Sequence, residues 1–422
     1  MHDTALSIST VAVGIALLAG GAGSLRGQTW VQTSAPAKGW VAVACSADGQ
    51  RIVAAAWQDT IYASTNSGTT WTNTGAPVDG WSCLASSADG MKLMAAVTGG
   101  LIYNSTNSGA SWTPCSLPTN SWRVITSSAD GTRLAAGFTR DFLIGGLYIS
   151  TNSGATWTLS NTVTNDCLSL ASSPDGTQLI AVTRDIASPG GYLGHTYRST
   201  NSGDSWTRTS GNTALNLVAS SDGLRAVMAV GAGGGMFGTG GGMFVTTNSG
   251  ADLQLTGAPN GPWSSLATSA DGQRAVAVIG QEGGINSMTG PIYTSLDSGR
   301  TWSLARAPTN NCWSSVASSA DGRKLFAVAN YDFQAGNPPL GGLIYTLQST
   351  PAPLLNIHPS GTNLLLSWTV PSRNFVLQET SDLSTGSWVE SSVTPILNYA
   401  TLQFEVTVPK QQEATFYRLV SR

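Results

Sequence analysis

The sequence predicts an all-β protein built from repeated units. Three observations support this class: an internal repeat with a period of 41 to 50 residues, apolar runs of about four to six residues between turn signals, and a low charge content. Only 10% of the 422 residues are charged, against roughly 25% in an average soluble protein. Glycine, with 49 residues, and neutral polar residues take their place, as is typical of a loop-rich β-protein.

Each repeat contains an Asp-Gly turn, in which glycine accepts the positive φ of a tight hairpin. A strand that starts near a tryptophan, such as residues 81–86, precedes the turn, and a short Ala/Val/Leu strand follows it. An Ile-Tyr or Leu-Tyr strand comes third, and a second hairpin through Asn-Ser-Gly leads to a fourth strand that begins with tryptophan. Four strands in such a period predict one blade of a β-propeller, and the turns count seven blades. The turns begin at Asp48, Asp89, Asp130, Asp175, Asp222, Asp271 and Asp321.

The second hairpin resembles the Asp-box, or BNR repeat, of sialidases and related propellers (S-x-D-x-G-x-T-W). Only Asp297 keeps the aspartate of the family; the other copies carry asparagine, whose carbonyl still accepts the backbone N–H bonds of the turn. In the resembled superfamily the box is structural and lies away from the active site, so it predicts the fold and not the activity. The matching segments are 64–71, 105–112, 150–157, 199–206 and 295–302, with 246–253 as a degraded copy.

The N-terminal segment is predicted to complete the last blade. The seventh unit ends at residues 346–350 without a fourth strand, whereas residues 29–33 match the fourth strand at 70–74. A strand supplied in this way would remove the exposed edge of an open sheet. We therefore expect residues 28–350 to form a seven-bladed β-propeller closed by an N-terminal strand.

The two ends of the chain predict export and a second domain. Residues 5–23 are apolar or small, which predicts a signal peptide over residues 1–27 and a secreted or cell-envelope protein. Because Met1-His2-Asp3 lacks a basic residue, an uncleaved anchor is the alternative; no other segment approaches the ~20 apolar residues of a membrane span.

Residues 351–422 alternate apolar and polar side chains and are similar to a shortened fibronectin-type-III-like module of secreted bacterial proteins, a small β-sandwich without chemistry of its own.

Composition excludes several classes of function. The net charge is −3 and no basic run could neutralise a row of phosphates, so we expect no nucleic-acid partner. The five cysteines are scattered, without a CxxC pair, and predict neither a zinc site nor a disulfide framework. We predict a monomer without a cofactor or metal.

The loops between the second and third strands indicate the functional face. They are brief at 58–60 and long at 184–196, 231–242 and 330–342, whereas the other turns are short and uniform. Loops held on a rigid scaffold are where binding residues concentrate. His195 lies in one of these loops and is expected to be solvated.

An acidic residue recurs near the start of these loops in five repeats. Ion pairing that orders the loop starts, recognition of a polar ligand, and catalysis by carboxylates are the three open interpretations. Catalysis would need one raised and one ordinary carboxyl pKa at the separation found in glycoside hydrolases. The acids are Asp59, Asp141, Asp185, Glu282 and Asp332, and two of them directly follow Arg140 and Arg184.

A tryptophan recurs eight residues before the turn aspartate in five repeats. It is either an aromatic platform that stacks on sugar rings or a residue that packs between blades, and its regular recurrence favours packing. The five residues are Trp40, Trp81, Trp122, Trp263 and Trp313.

These features predict a non-catalytic extracellular propeller that binds a glycan or a protein through its variable loops. A glycoside hydrolase, sialidase-like or glucan-degrading, is the alternative, and a purely architectural envelope protein is a third interpretation. The sialidase resemblance implies six blades and an arginine triad, and this sequence shows neither. The seven-bladed Asp-box relatives include xyloglucan-degrading hydrolases, which hold substrate between two propellers, and protein-binding assembly factors and sorting receptors, which fit a single propeller better.

Overall fold

A computed structural model describes most of the chain, and every regular element in the described residues is a β-strand. These residues divide into two compact units, the first holding the repeats and the second holding most of the chain from residue 355 onward. The predicted signal peptide lies outside the described residues. The described ranges are 30–140, 144–185, 193–210, 214–219, 225–230, 241–247, 253–280, 289–332, 340–348, 355–369, 375–381, 387–409 and 415–421.

The first three repeats each form four antiparallel strands, and pairing between neighbouring repeats joins them into one twelve-stranded sheet. The N-terminal strand β1 (Val31–Gln32) precedes them. Repeat 1 consists of β2 (Trp40–Cys45), β3 (Ile52–Asp59), β4 (Ile61–Ser64) and β5 (Thr72–Asn73). Repeat 2 consists of β6 (Asp79–Ser86), β7 (Leu93–Gly100), β8 (Ile102–Ser105) and β9 (Thr113–Pro114). Repeat 3 consists of β10 (Asn120–Ser127), β11 (Leu134–Arg140), β12 (Ile144–Ser150) and β13 (Thr158–Leu159).

Repeats 4 to 6 form separate four-stranded antiparallel sheets whose strands pair in chain order. Repeat 4 consists of β14 (Asp166–Ser172), β15 (Leu179–Asp185), β16 (Leu193–Ser199) and β17 (Thr207–Ser210). Repeat 5 consists of β18 (Ala214–Ala219), β19 (Ala226–Val230), β20 (Met243–Thr246) and β21 (Gln254–Leu255). Repeat 6 consists of β22 (Trp263–Thr268), β23 (Ala275–Ile279), β24 (Ile292–Ser295) and β25 (Ser303–Leu304).

Repeat 7 takes its outermost strand from the N-terminal side of the repeats. The other strands of repeat 7 are β26 (Asn311–Ser318), β27 (Lys324–Asp332), β28 (Leu340–Gly341) and β29 (Ile344–Gln348). β1 pairs with β29 in antiparallel register, with Val31 opposite Thr346. The sheet order is β1-β29-β27-β26, with β28 paired to β27.

Two sequence-based details need correction. The fourth strands were expected to begin with the box tryptophan, but they begin one residue after it, as at Thr72 and Thr113. His195 was expected to be a solvated loop residue, which is wrong: strand pairing continues past the predicted loop boundary, and His195 lies in β16 opposite Thr183, only 8% exposed. Its ring stands edge-on to Tyr197, with 6.5 Å between the ring centroids.

The Asp-Gly turns link each repeat to the next. In repeat 1, Asp48 accepts hydrogen bonds from the Ser46 hydroxyl (2.5 Å) and the Gln50 amide (2.9 Å), and Gly49 has a φ of +60°. A lysine or arginine two residues after the glycine then donates to a carbonyl of the following repeat's turn, as Arg51 does to Asp89 at 3.0 Å. The same contact is made by Lys92 to Asp130, Arg133 to Asp175, and Arg225 to Asp271.

The Asn-Ser-Gly turns show how asparagine replaces aspartate without a charge. In repeat 1 the Asn66 carbonyl accepts the Thr70 amide, and its side-chain NH2 donates to the Thr70 hydroxyl, both at 2.9 Å. In repeat 6 the Asp297 carboxylate accepts both the amide (2.9 Å) and the hydroxyl (2.5 Å) of Thr301. The substitution reverses one hydrogen bond and keeps the turn.

The second unit has two antiparallel sheets with a shared apolar core. Its strands are β30 (Asn356–Ser360), β31 (Asn363–Thr369), β32 (Phe375–Thr380), β33 (Val389–Glu390), β34 (Ile396–Asn398), β35 (Gln403–Pro409) and β36 (Phe416–Ser421). The sheets have the orders β30-β31-β35-β34 and β33-β32-β36. The core consists of Leu366, Trp368, Leu377, Val406 and Val408.

Candidate functional site

The sheets have one end that lies opposite the Asp-Gly and Asn-Ser-Gly turns, which we call the loop end. Its contacts are clearest at repeats 1 and 2. There β3 runs past its own repeat and pairs with β6, which places Trp57 opposite Gly80 and Asp59 opposite Asp79. The hairpin between β3 and β4 is short, and Gln58 adopts a left-handed φ of +52° in it. The strands thus bring an aromatic side chain and two carboxylates to one edge.

Trp57 is an exposed aromatic ring on this edge. Its side chain is 43% exposed, and its backbone amide donates to the Gly39 carbonyl at 2.8 Å. A Cβ added at Gly80 would lie 3.3 Å from the indole ring, so the absence of a side chain there lets the ring lie on the backbone. No recurring pattern marks Trp57 in the sequence, because threonine takes its place in the next two repeats, at Thr98 and Thr139.

Asp59 forms an ion pair beside this ring. Its Oδ2 lies 2.6 Å from Lys38 Nζ, and its Oδ1 accepts the Thr60 amide at 2.7 Å. Burial raises the pKa of Asp59, but the hydrogen bonds from Lys38 and Thr60 and the Lys38 charge outweigh it and hold the pKa below its ordinary value. The bond to Asp59 in turn raises the pKa of Lys38. For Asp59, these contacts favour ion pairing among the three interpretations of the recurring acids.

This ion pair predicts a pH-dependent stability. The contribution of Asp59 to the free energy of unfolding is complete above the ordinary aspartate pKa of 3.8, and it is lost as the pH falls through the lowered pKa. The contribution of Lys38 to the free energy of unfolding is complete below the ordinary lysine pKa of 10.5, and it is lost as the pH rises through the raised pKa. We expect Asp59→Asn to lower the urea midpoint of unfolding within this window and to match the unsubstituted protein at lower pH. A difference that stays constant under acid would contradict a role for this charge.

The other recurring acids lie at the same end of their sheets or outside the described residues. Asp185 is the last residue of β15, and Asp332 is the last residue of β27. Asp141 and Glu282 lie outside the described residues. Arg140 is exposed and donates to the Asn120 side chain at 3.3 Å, whereas Arg184 lies opposite Asp166 in the strand register.

The recurring tryptophans have no exposed face for a ligand. Trp40, Trp81, Trp122, Trp263 and Trp313 are between 0% and 6% exposed, and each stands beside the tyrosine of its own repeat's third strand. Three of them also donate their indole N–H to a backbone carbonyl at the loop end of the preceding repeat, as Trp81 does to Asp59 at 2.9 Å. Burial and these contacts favour packing over an aromatic platform.

A second set of polar residues lies at the loop end. Four of them lie two residues before the first-strand tryptophan, a spacing that is visible in the sequence, and the fifth directly precedes Cys167, which takes the place of the tryptophan in repeat 4. Asp166 is fully buried, with Arg123 Nε 3.4 Å from its carboxylate. Asn311 is 1% exposed, and neither of its side-chain amide atoms has a hydrogen-bond partner among the residues that the structure describes. The set consists of Lys38, Asp79, Asn120, Asp166 and Asn311.

Within the described residues, the acid with a raised pKa lies elsewhere. Burial raises the pKa of Asp321, against the opposing bonds from Ser319 and Arg323, but this residue belongs to the Asp-Gly turn of repeat 7. The described residues contain no group of three or more His, Cys, Asp or Glu side chains that could hold a metal ion. They also contain no helix of the length and hydropathy that a membrane span requires.

Comparison with known proteins identifies the fold. No protein-family profile and no curated protein sequence matches this chain. The GH74 xyloglucanase from Xanthomonas campestris is similar over 81% of this chain, with a TM-score of 0.54 and 15% identity, and this chain spans 59% of that one. YCF48 from Cyanidioschyzon merolae (TM-score 0.52, 14% identity) and Kuenenia stuttgartiensis hydrazine synthase (0.54, 13%) each match 76% of this chain, over 98% and 97% of their own. At these identities the likeness shows the fold alone, a β-propeller.

Proposed function

We propose that this protein is a non-catalytic binding propeller that acts outside the cytoplasm, recognising a glycan or protein ligand through its loop end. The observation that carries the proposal is Trp57, an exposed aromatic ring on the same edge as the Lys38–Asp59 ion pair and Asp79. A flat apolar surface rimmed by charged and hydrogen-bonding groups suits both a sugar ring and a protein side chain. Export through residues 1–27 is part of the same proposal.

The proposed scaffold is a closed ring of seven Asp-box blades. Three contacts between repeat 7 and the N-terminal side of the chain support it. β1 pairs with β29, the Ala320 amide donates to the Ala47 carbonyl at 2.8 Å, and Lys324 Nζ lies 3.0 Å from the Ser67 hydroxyl. A closed ring leaves no long free edge and holds the loop end rigid, which lowers the entropy lost on binding.

The state of Asp59 favours binding over catalysis. A glycoside hydrolase needs a carboxylic acid of raised pKa close to an ionised carboxylate. Asp59 has a lowered pKa and is held by Lys38, so it suits neither the acid nor a free nucleophile. A glycoside hydrolase that uses other carboxylates of the loop end is the alternative function, and a xyloglucanase is among the structural neighbours.

Trp57→Ala is expected to weaken retention on the ligand at least tenfold, about 1.4 kcal/mol, because the ring supplies the exposed apolar surface of the described site. Leu304→Ala is the matched control, since Leu304 is 62% exposed on the outer strand β25. Retention of the mature protein would be measured on a panel of polysaccharides, and then against protein extracts.

Equal retention of Trp57→Ala and the unsubstituted protein on a ligand bound by both would exclude Trp57 as the contact. Retention on a polysaccharide would identify a glycan ligand. If the protein binds only a protein from the extracts, and Trp57→Ala abolishes this binding, the ligand is a protein.

A further inference from the structure

A cleft opens between repeats 5 and 6, at the opposite end from Trp57. Its volume is about 450 Å³. It is lined by Arg225, which directly precedes the second strand of repeat 5, and by the Asn-Ser-Gly-type turn of repeat 6 with Asp297 and Arg300. Gln273 completes the floor, and the Ser298 amide donates to its carbonyl at 2.8 Å.

The same gap is closed between other repeats. Between repeats 1 and 2, and between repeats 2 and 3, the corresponding spaces measure only about 10 Å³. In the second of these, Lys92 reaches across and donates to Ser153 at 3.3 Å. The turn of repeat 6 departs from those of repeats 2 and 3 in sequence: Arg300 stands where they carry Ala110 and Ala155.

The cleft presents mainly hydrogen-bond donors. The Arg300 side chain is exposed and makes no hydrogen bond or ion pair with the described residues. Arg225 donates from Nη1 to the Asp271 carbonyl at 2.8 Å, which fixes the direction of its guanidinium group. Burial raises the pKa of Asp297, but the hydrogen bonds from Thr301 and Ser295 outweigh it and lower the pKa, so its carboxylate stays ionised and offsets one of the two arginine charges.

We propose that this cleft binds an acidic saccharide, with Arg300 holding its carboxylate and Gln273 its hydroxyl groups. Arginine presents a planar fork of N–H donors that matches a carboxylate, and an exposed guanidinium group at the cleft favours an anion over a neutral ligand. A cleft of this size accepts a ligand of about one or two sugar residues. This site is separate from the loop end and does not depend on the function proposed for Trp57.

The test is calorimetric titration of the full mature chain with digalacturonic acid, and with cellobiose as the neutral probe. We expect binding of the acid alone, weakened by added salt because charge attraction contributes to it. Arg300→Ala should lower the affinity at least tenfold, and Arg300→Asp should abolish it. Aspartate already occupies the equivalent position in repeat 4, at Asp204, so this variant is compatible with the turn.

Arg208→Ala is the matched control, because Arg208 is an exposed arginine on β17 outside the cleft. It should bind as the unsubstituted protein does. The proposal is overturned if digalacturonic acid does not bind, if cellobiose binds equally well through Arg300, or if Arg300→Ala binds digalacturonic acid with unchanged affinity. Loss of binding in both Arg300→Ala and Arg208→Ala would also overturn it, since it would indicate diffuse charge attraction.

Discussion

Replacing Trp81 with alanine is expected to lower the free energy of unfolding of the propeller by about 3–5 kcal/mol. Its side chain is fully buried in a cluster that combines Ile61 of repeat 1 with Leu93 of repeat 2, so truncation would leave a cavity between repeats. The indole N–H also donates to the Asp59 carbonyl at 2.9 Å, and the ring lies edge-on to Tyr103 at 5.5 Å. Alanine would remove both contacts along with the apolar volume.

The measurement is the urea midpoint of the propeller's unfolding transition. Trp81→Phe should be less damaging, since it keeps an aromatic ring and loses mainly the hydrogen bond. Trp57→Ala provides the comparison at an exposed position and should shift the midpoint far less. Similar shifts for Trp81→Ala and Trp57→Ala would contradict the packing role assigned to the recurring tryptophans.

Gly90→Ala is the second substitution with a large expected effect. Gly90 has a φ of +69°, and a Cβ there would lie 2.8 Å from Cβ of Arg51 in the preceding repeat. The left-handed backbone costs an L-residue about 1–2 kcal/mol. Crowding between packed repeats adds about 1–3 kcal/mol.

Gly75→Ala separates these two costs. Gly75 has the same φ of +69°, but a Cβ there would meet nothing within 4 Å. Gly75→Ala should therefore show only the backbone cost in urea unfolding, and Gly90→Ala should show both. Equal destabilisation of the two variants would mean that the arginine stem does not pack tightly on the Asp-Gly turn.

Local sequence signals predicted the strands because turn chemistry and periodicity are properties of short segments. The Asp-Gly and Asn-Ser-Gly turns marked the hairpins, and the match between residues 29–33 and 70–74 anticipated the pairing of β1 with β29. The exact fourth-strand starts were missed, because the box tryptophan belongs to the turn: Trp71 donates its indole N–H to the Gly68 carbonyl at 3.1 Å.

The exposure of a tryptophan could not be predicted from the residue type. Trp81 and Trp57 belong to successive repeats, but Trp81 meets Tyr103 and is buried, whereas Trp57 meets a glycine and remains half exposed. The ion-pair partner of Asp59 could not be predicted from the sequence either, because Lys38 is 21 residues away and only the folded structure brings the two side chains together.

The cleft between repeats 5 and 6 required the tertiary structure as well. The change from alanine to arginine at position 300 is visible in the sequence, but its significance depends on the empty volume beside it. That volume depends on how two sheets pack, and no local pattern contains this information.

The measurement that tests the central claim most directly is the incubation of residues 28–422 with a panel of polysaccharides, scored for both retention and released sugar. A binding propeller without catalysis predicts retention on at least one polysaccharide and no released sugar, even after long incubation. Released sugar that increases with protein concentration would contradict the claim. It would direct attention to the recurring acids, beginning with Asp185→Asn.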